Sequence, residues 1–228
     1  MANVAITGAG RGIGLELAKQ HLDAGDRVFA LLRNPATAEA LGELAAGSGG
    51  KLTVHAMDVA DDASVKSGAA STGDGPIDIV YNVAGITGSM AKELESIDWG
   101  PFDDAINVMV KGPLRVLHAF LPRLGEGAKV INVTSQLAAS TWPMGGFYGY
   151  VTAKAALNRL MRSVAIDLKP RGVIVGLVHP GWVKTDMGGP NAEITTQESA
   201  AGLRDLAAGW TLEKSGDFYK WNGEVHPW

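Results

Sequence analysis

The chain has no cysteine. Disulfides and thiolate metal centres are therefore excluded, and the composition suits a reducing compartment. No uninterrupted apolar run is long enough to cross a bilayer. No basic segment followed by an apolar core and a cleavage site precedes the first strand-like residues. A soluble, intracellular protein of the cytoplasm is expected, with no membrane partner. Long basic runs are also lacking, and the formal net charge is −4, so nucleic acid and acidic surfaces are poor partners. No histidine pair has the spacing of a zinc-binding helix, and no metal is expected. Linker-like stretches, low-complexity tracts and internal repeats are missing too. Residues 1–228 therefore read as one domain, and a 46% hydrophobic composition is enough for a sizeable core.

What is present is an alternation of two patterns. Short apolar runs lie at Val4–Ile6, Arg27–Leu32, Leu52–His55, Ile77–Tyr81, Lys129–Val133 and Val173–Val178, with a short candidate at Asp217–Lys220. Between them lie segments of helical period. Ile13, Leu17, Ala18 and Leu22 mark one that stops at Gly25; Pro35 to Leu44 and Asp61 to Ala70 are shorter. A long helix is expected after Phe102, carrying Leu114, Leu117, Leu121 and Leu124 on one face. Another carries Leu157, Leu160, Met161, Val164 and Leu168 and ends at Pro170 and Gly172; a last one spans about Gln197 to Ala208. Strands alternating with helices imply an α/β fold, a Rossmann-like doubly wound parallel sheet of six to seven strands with helices on both faces. Ligands of such sheets bind beyond the C-terminal strand ends, at the point where strand order reverses.

The loops at that edge hold the unusual residues. Thr7-Gly8-Ala9-Gly10-Arg11-Gly12-Ile13-Gly14 follows the first strand and opens the first helix. Backbone N–H groups and the positive end of the helix dipole converge there, which suits a phosphate. The spacing differs from Gly-x-Gly-x-x-Gly and lacks the Gly-Lys-Ser/Thr of a P-loop. After the fifth strand come Thr134-Ser135, and Tyr150 and Lys154 then sit one turn apart on one helix face. An ammonium beside a phenol lowers its pKa, and a tyrosine so tuned serves as general acid or base. A serine hydroxyl can donate to a carbonyl oxygen as charge develops there. Asn107 is a polar residue among apolar neighbours and could hold a proton-relaying water. Taken singly, these features have plainer readings: a Tyr–Lys pair decorates many helices, and Asp58 suits a turn. Tyr148 competes with Tyr150 but has no lysine at the matching spacing, and His179 reads as a strand-end residue.

The ordered set resembles the short-chain dehydrogenase/reductase family over nearly the whole chain. It comprises Thr7-Gly8-x-x-x-Gly12-x-Gly14, Asp58, Asn82-Val83-Ala84-Gly85, Asn107, Ser135, Tyr150-x-x-x-Lys154 and Pro180-Gly181. Val83 stands where the family usually has a second asparagine. The resemblance implies hydride transfer between a nicotinamide and a carbonyl or alcohol carbon. Tyr150 would be the general acid/base, Ser135 would orient the oxygen, Lys154 would tune Tyr150 and hold the ribose, and Asn107 would complete the relay. Gly8, Arg11, Gly12, Ile13 and Gly14 would cradle the cofactor. Asp58 and Val59 would contact the adenine, and Asn82, Ala84 and Gly85 would line the ribose side. Pro180, Gly181, Val183 and Thr185 would hold the carboxamide end. The segment His179 to Gly189, with Gly216-x-Phe218 and the terminal Pro227-Trp228, is similar to the C-factor and sniffer-type carbonyl reductase branch, so a dinucleotide-binding signalling or sensor protein with little turnover is the alternative.

No acid follows the second strand to take the adenosine ribose hydroxyls, whereas Arg33 stands there and Arg11 lies in the glycine loop. Two guanidinium groups suit a 2′-phosphate, so NADP(H) is the expected cofactor. Gln136, Trp142, Met144, Phe147, Trp182 and Met187, with Ile86 and Met90, are the candidate substrate contacts and favour an apolar small-molecule carbonyl or alcohol. Residues 185–197, rich in glycine and proline, resemble a mobile substrate loop. Family relatives assemble through two long helices, and the sniffer-type branch includes monomers, so homodimer, homotetramer and monomer all stay open.

Overall fold

The computed structural model describes residues 1–88 and 91–228, so the candidate contact Met90 lies outside the described residues. Seven strands form one parallel sheet: β1 (Asn3–Thr7), β2 (Arg27–Leu32), β3 (Leu52–Ala56), β4 (Ile79–Asn82), β5 (Lys129–Val133), β6 (Ile174–His179) and β7 (Phe218–Lys220). Their order is β3-β2-β1-β4-β5-β6-β7, which reverses between β1 and β4. The intervening helices are α1 (Gly12–Asp23), α2 (Glu39–Gly47), α3 (Asp62–Ser71), α4 (Trp99–Ile106), α5 (Gly112–Phe120), α6 (Tyr148–Leu168) and α7 (Thr196–Gly209).

The strands read as continuous apolar runs because both sheet faces are covered. Ile6 and Val178 join Leu17 of α1, Leu41 of α2 and Leu203 of α7 in one core. Val80, Val130 and Leu177 join Val65 of α3, Phe120 of α5 and Leu157 and Met161 of α6 in the other. Period-2 alternation within each strand thus separates the two cores. At the outer edge the chain folds back so that Lys220 N–H donates to Glu224 O and His226 N–H to Phe218 O. This return covers β7, whose exposed edge would otherwise template pairing. No described helix is long and apolar enough to cross a membrane.

Several boundaries differ from the sequence reading, each for a local reason. Pro35 opens a separate short turn, Pro35–Thr37, and α2 begins only at Glu39. The expected fourth strand starts two residues late, because Ile77 N–H donates to Arg123 O in the turn after α5 instead of to a strand. The helix expected after Phe102 begins before it: Asp98 caps Gly100 N–H at 3.1 Å. It then passes through a π-turn at Asn107–Lys111 and ends at Phe120, leaving Leu121 and Leu124 outside. Pro122 has no N–H to donate and cannot continue the α-helix, so the chain tightens into the turn Leu121–Arg123.

The start of α7 is set by a capping box. Glu198 N–H donates to Thr195 Oγ1 at 3.1 Å, and Thr195 N–H donates to Glu198 Oε2 at 2.8 Å. Two otherwise orphaned donors are satisfied where α7 docks on α1. Thr195→Ala is expected to cost about 0.5–2 kcal/mol of stability, read as a lower urea midpoint with an unchanged slope. An unshifted midpoint would show that the box contributes nothing.

Candidate active site

At the sheet reversal, Thr7 joins the first turn to the loop after β4. Its hydroxyl donates to Tyr81 O at 3.3 Å and accepts from Val83 N–H at 3.1 Å and Ala84 N–H at 3.3 Å. The two backbones are then so close that side chains do not fit. A Cβ on Gly8, whose φ is +69°, would lie 2.8 Å from Ala84 Cα, and one on Gly14 would lie 2.3 Å from Gly8 O. Val83 takes part through its backbone, so an asparagine there is not needed for this stitch. Helix α1 starts at Gly12 with no side-chain cap and no acid in its first turn. The amides of Gly12, Ile13 and Gly14 are thus left to an outside anion, and a dinucleotide pyrophosphate fits this cradle.

The remaining candidate cofactor contacts surround the cradle. Arg33 is exposed at the end of β2 and makes no ion pair among the described residues. Arg11 is engaged, its Nη1 lying 2.7 Å from Asp186 Oδ2. Asp58 Oδ1 accepts from Ala60 N–H at 2.9 Å, a turn bond that leaves its other oxygen available. Val59 is buried beneath Gly112. The carboxamide of Asn82 points along the sheet, its Nδ2 donating to Asn132 Oδ1 at 2.9 Å, while Asn132 Nδ2 reaches Gly176 O at 3.2 Å. That chain ties β4, β5 and β6 together. Gly85 lies beside Met109, where a Cβ would approach the sulfur to 3.6 Å.

On the other side of the reversal, Gly181 has φ +89° and no room for a Cβ, which would meet Ile194 Cδ1 at 2.4 Å. Pro180 O accepts from Ser199 Oγ at 2.7 Å, and Val183 is buried. Thr185 Oγ1 donates to Val183 O at 3.3 Å and accepts from Gly188 N–H at 3.1 Å, closing a tight turn. The loop of residues 185–197 ends where α7 begins, at Thr196.

Ser135, Tyr150 and Lys154 meet between β5 and α6. Ser135 is buried at the end of the strand, and its Oγ accepts from Leu137 N–H at 3.1 Å. Burial raises the Tyr150 pKa above the usual phenol value, and a hydrogen bond with Ser135 pulls it partly back. Lys154 is buried with its Nζ 2.8 Å from Val133 O, and burial pushes its pKa down to about 8. The lysine nitrogen sits 5.9 Å from the centre of the Tyr150 ring. The sequence suggested an ammonium that acidifies the phenol. Here desolvation prevails, and both groups are driven toward their neutral forms. Asn107 opens the π-turn; its Nδ2 donates to Ala60 O at 3.2 Å, and its carbonyl accepts from Arg115 Nη1 at 3.3 Å.

Immediately before α6, Phe147 has φ +55°, a left-handed conformation that strains a bulky residue by about 1–3 kcal/mol. Its N–H donates to Ala91 O at 2.7 Å, bracing the start of α6 against the loop after β4. Gln136, Trp142 and Ile86 are partly buried, while Met144, Trp182 and Met187 are exposed. Trp182 Nε1 donates to Gly188 O at 2.8 Å, which holds its ring on the loop after β6.

Three contributors were not assigned a role from sequence. Thr7 works through a hydroxyl aimed at backbone amides far along the chain. The Val133 carbonyl is a main-chain acceptor, which no residue type announces. Asp186 was hidden beside Thr185, although an acid next to an expected cofactor residue was a usable signal.

A family model described as short chain dehydrogenase matches residues 2–195. The C-signal protein of Myxococcus xanthus is 42% identical over 159 residues, which cover 68% of this chain and 94% of that protein. The structure of NADPH-bound carbonyl reductase from chicken fatty liver superposes with a TM-score of 0.92 at 31% identity, covering 100% of this chain and 99% of that one. Carbonyl reductase Sniffer of D. melanogaster superposes with a TM-score of 0.93 at 27% identity, with 100% of both chains covered.

The buried lysine has a consequence for stability. In the folded chain Lys154 loses its proton near pH 8, whereas the unfolded side chain keeps it to about 10.5. Between those values the unfolded state binds more protons, so unfolding free energy rises with pH. The stability of the wild type relative to Lys154→Met is therefore expected to increase from pH 8 to 10.5 in urea titrations. A difference that stays constant across that window would refute the burial account.

Proposed function

This chain belongs to the short chain dehydrogenase family, and we propose that within this family of oxidoreductases it is an NADP(H)-dependent carbonyl reductase. The observation that carries the proposal is the meeting of Ser135, just after β5, with Tyr150 and Lys154 of α6, at the sheet edge that also holds the uncapped glycine loop. Residues 1–228 act as one cofactor-binding domain in the cytoplasm, with 185–197 as the substrate loop.

Bound NADPH supplies the hydride. The amides of Gly12, Ile13 and Gly14 take the pyrophosphate, and Gly8 lets the backbone approach it. Arg33 and Arg11 take the 2′-phosphate by charge-assisted hydrogen bonds. The free carboxylate oxygen of Asp58 and the Val59 backbone meet the adenine, while Asn82, Ala84 and Gly85 border the ribose. Val183 and Thr185, positioned by Pro180 and Gly181, face the carboxamide. Lys154 binds the ribose hydroxyls, and Asn107 completes a relay toward it. In reduction, the Ser135 hydroxyl donates to the substrate carbonyl oxygen and the Tyr150 phenol delivers the proton. Gln136, Trp142, Met144, Phe147, Trp182 and Met187 favour an apolar ketone or aldehyde.

The raised Tyr150 pKa keeps the phenol in the protonated form that reduction requires. The phenol stays protonated through neutral and mildly alkaline pH, so reduction is expected to hold level there. Alcohol oxidation needs the phenolate and is expected to climb with pH. Oxidation that is flat from mildly acidic to alkaline pH would count against Tyr150 as the base.

The likeness to C-signal favours a second reading, a dinucleotide-binding signalling protein with little turnover. Tyr150→Phe separates the two. For the enzyme, NADPH binding survives and carbonyl reduction falls by about 10²–10⁴-fold, followed as NADPH absorbance over a carbonyl panel. If the wild type reduces no member of the panel, the signalling reading prevails. Arg33→Asp is expected to raise the NADPH KM with little change in kcat; equal or better efficiency of the wild type with NADH would overturn the cofactor assignment.

A further inference from the structure

One ion pair joins the glycine loop to the loop after β6. Arg11 Nη1 and Asp186 Oδ2 are 2.7 Å apart, and both side chains are largely exposed, at 79% and 77%. Among the described residues, the other ion pairs shorter than 3 Å join residues four or five positions apart. This one spans 175 positions. Its geometry is set from both sides. Arg11 is the extended residue before α1, and its side chain makes no capping bond. Asp186 follows Thr185, which is locked in its turn by Val183 O and Gly188 N–H. The Thr185 methyl lies so near Gly12 that a Cβ there would meet it at 3.3 Å. The carboxylate is therefore presented to the guanidinium by a built turn beside the cradle.

We propose that Asp186 is a specificity-determining residue for the cofactor, competing with the adenosine 2′-phosphate for the Arg11 guanidinium. The inference rests on the NADP(H) reading above. Carboxylate and phosphate address the same planar donor fork. An exposed Arg–Asp pair is weak and exchanges readily, and a phosphate monoester carries nearly twice the charge of a carboxylate. NADPH brings the group that replaces Asp186, whereas NADH brings none and leaves Arg11 where it is. Exchange of partner also unties the substrate loop from the glycine loop, so only the phosphorylated cofactor releases that tether.

The test is a double-mutant cycle on cofactor affinity. NADPH and NADH dissociation constants are measured by quenching of tryptophan fluorescence for wild type, Asp186→Asn, Arg11→Leu and the double variant. Asp186→Asn keeps the shape and removes the competing charge. It is expected to tighten NADPH by about two- to fivefold and to leave NADH unchanged, with the gain abolished in the Arg11→Leu background. Weaker or unchanged NADPH binding, an equal change for both cofactors, or a gain that persists without Arg11 would each overturn the competition. Failure of the underlying NADP(H) reading is distinguished by the wild type alone, which would then bind NADH at least as tightly as NADPH.

Discussion

The arrangement at the C-terminal edge of the sheet depends on one close backbone approach, that of Gly8 to Ala84. Two main chains can come this near only where a side chain is absent, and a Cβ at Gly8 would overlap Ala84 Cα. The Thr7 hydroxyl holds the approach by accepting two amides from the loop after β4. Sheet order reverses at the same place, so helices leave β1 and β4 toward opposite faces and a cleft opens between them. With the turn held there, the uncapped start of α1 faces that cleft. Loosening this contact would move the anion cradle relative to α6 and its side chains.

Burial governs the chemistry on the far side of the cleft. Lys154 is buried with Val133 O as its acceptor, and Tyr150 is partly buried beside it. Desolvation penalises a charged lysine and a charged phenol alike. It therefore stabilises a protonated phenol and weakens the hold of the lysine on its proton. Ser135 is the counterweight, since its hydrogen bond favours the phenolate. A site biased in this way holds the Tyr150 phenol in its protonated form at neutral pH.

Much of this was legible in the residues. Element order followed from alternating short apolar runs and helical periods, because buried parallel strands and amphipathic helices impose different spacings. Both ends of α3 and α7 fell within a residue of expectation, and their starts are fixed by the Asp61 and Thr195 caps. The π-turn at Asn107–Lys111 was not anticipated, although Pro113 just after it has no N–H to give the Met109 carbonyl. Asn107 O accepts from Arg115 Nη1 as well as from Gly112 N–H, and the Asn107 side chain donates to Ala60 O. The sense of the Tyr150 shift was likewise misread. Spacing reports that a lysine is near a tyrosine, but not that Lys154 is buried against a carbonyl or that burial raises the Tyr150 pKa.

The amino-acid sequence by itself determined the class of fold, the family and the identity of the groups that could do chemistry. These depend on periodicity, on glycines where side chains cannot fit, and on residue types at short fixed spacings. Only the tertiary structure decided the partners and protonation tendencies of those groups. Arg11 meets Asp186, Thr7 meets the Ala84 amide and Lys154 meets the Val133 carbonyl across separations of 175, 77 and 21 positions. Such pairings and the burial around them arise from chain packing, which local sequence spacing does not encode.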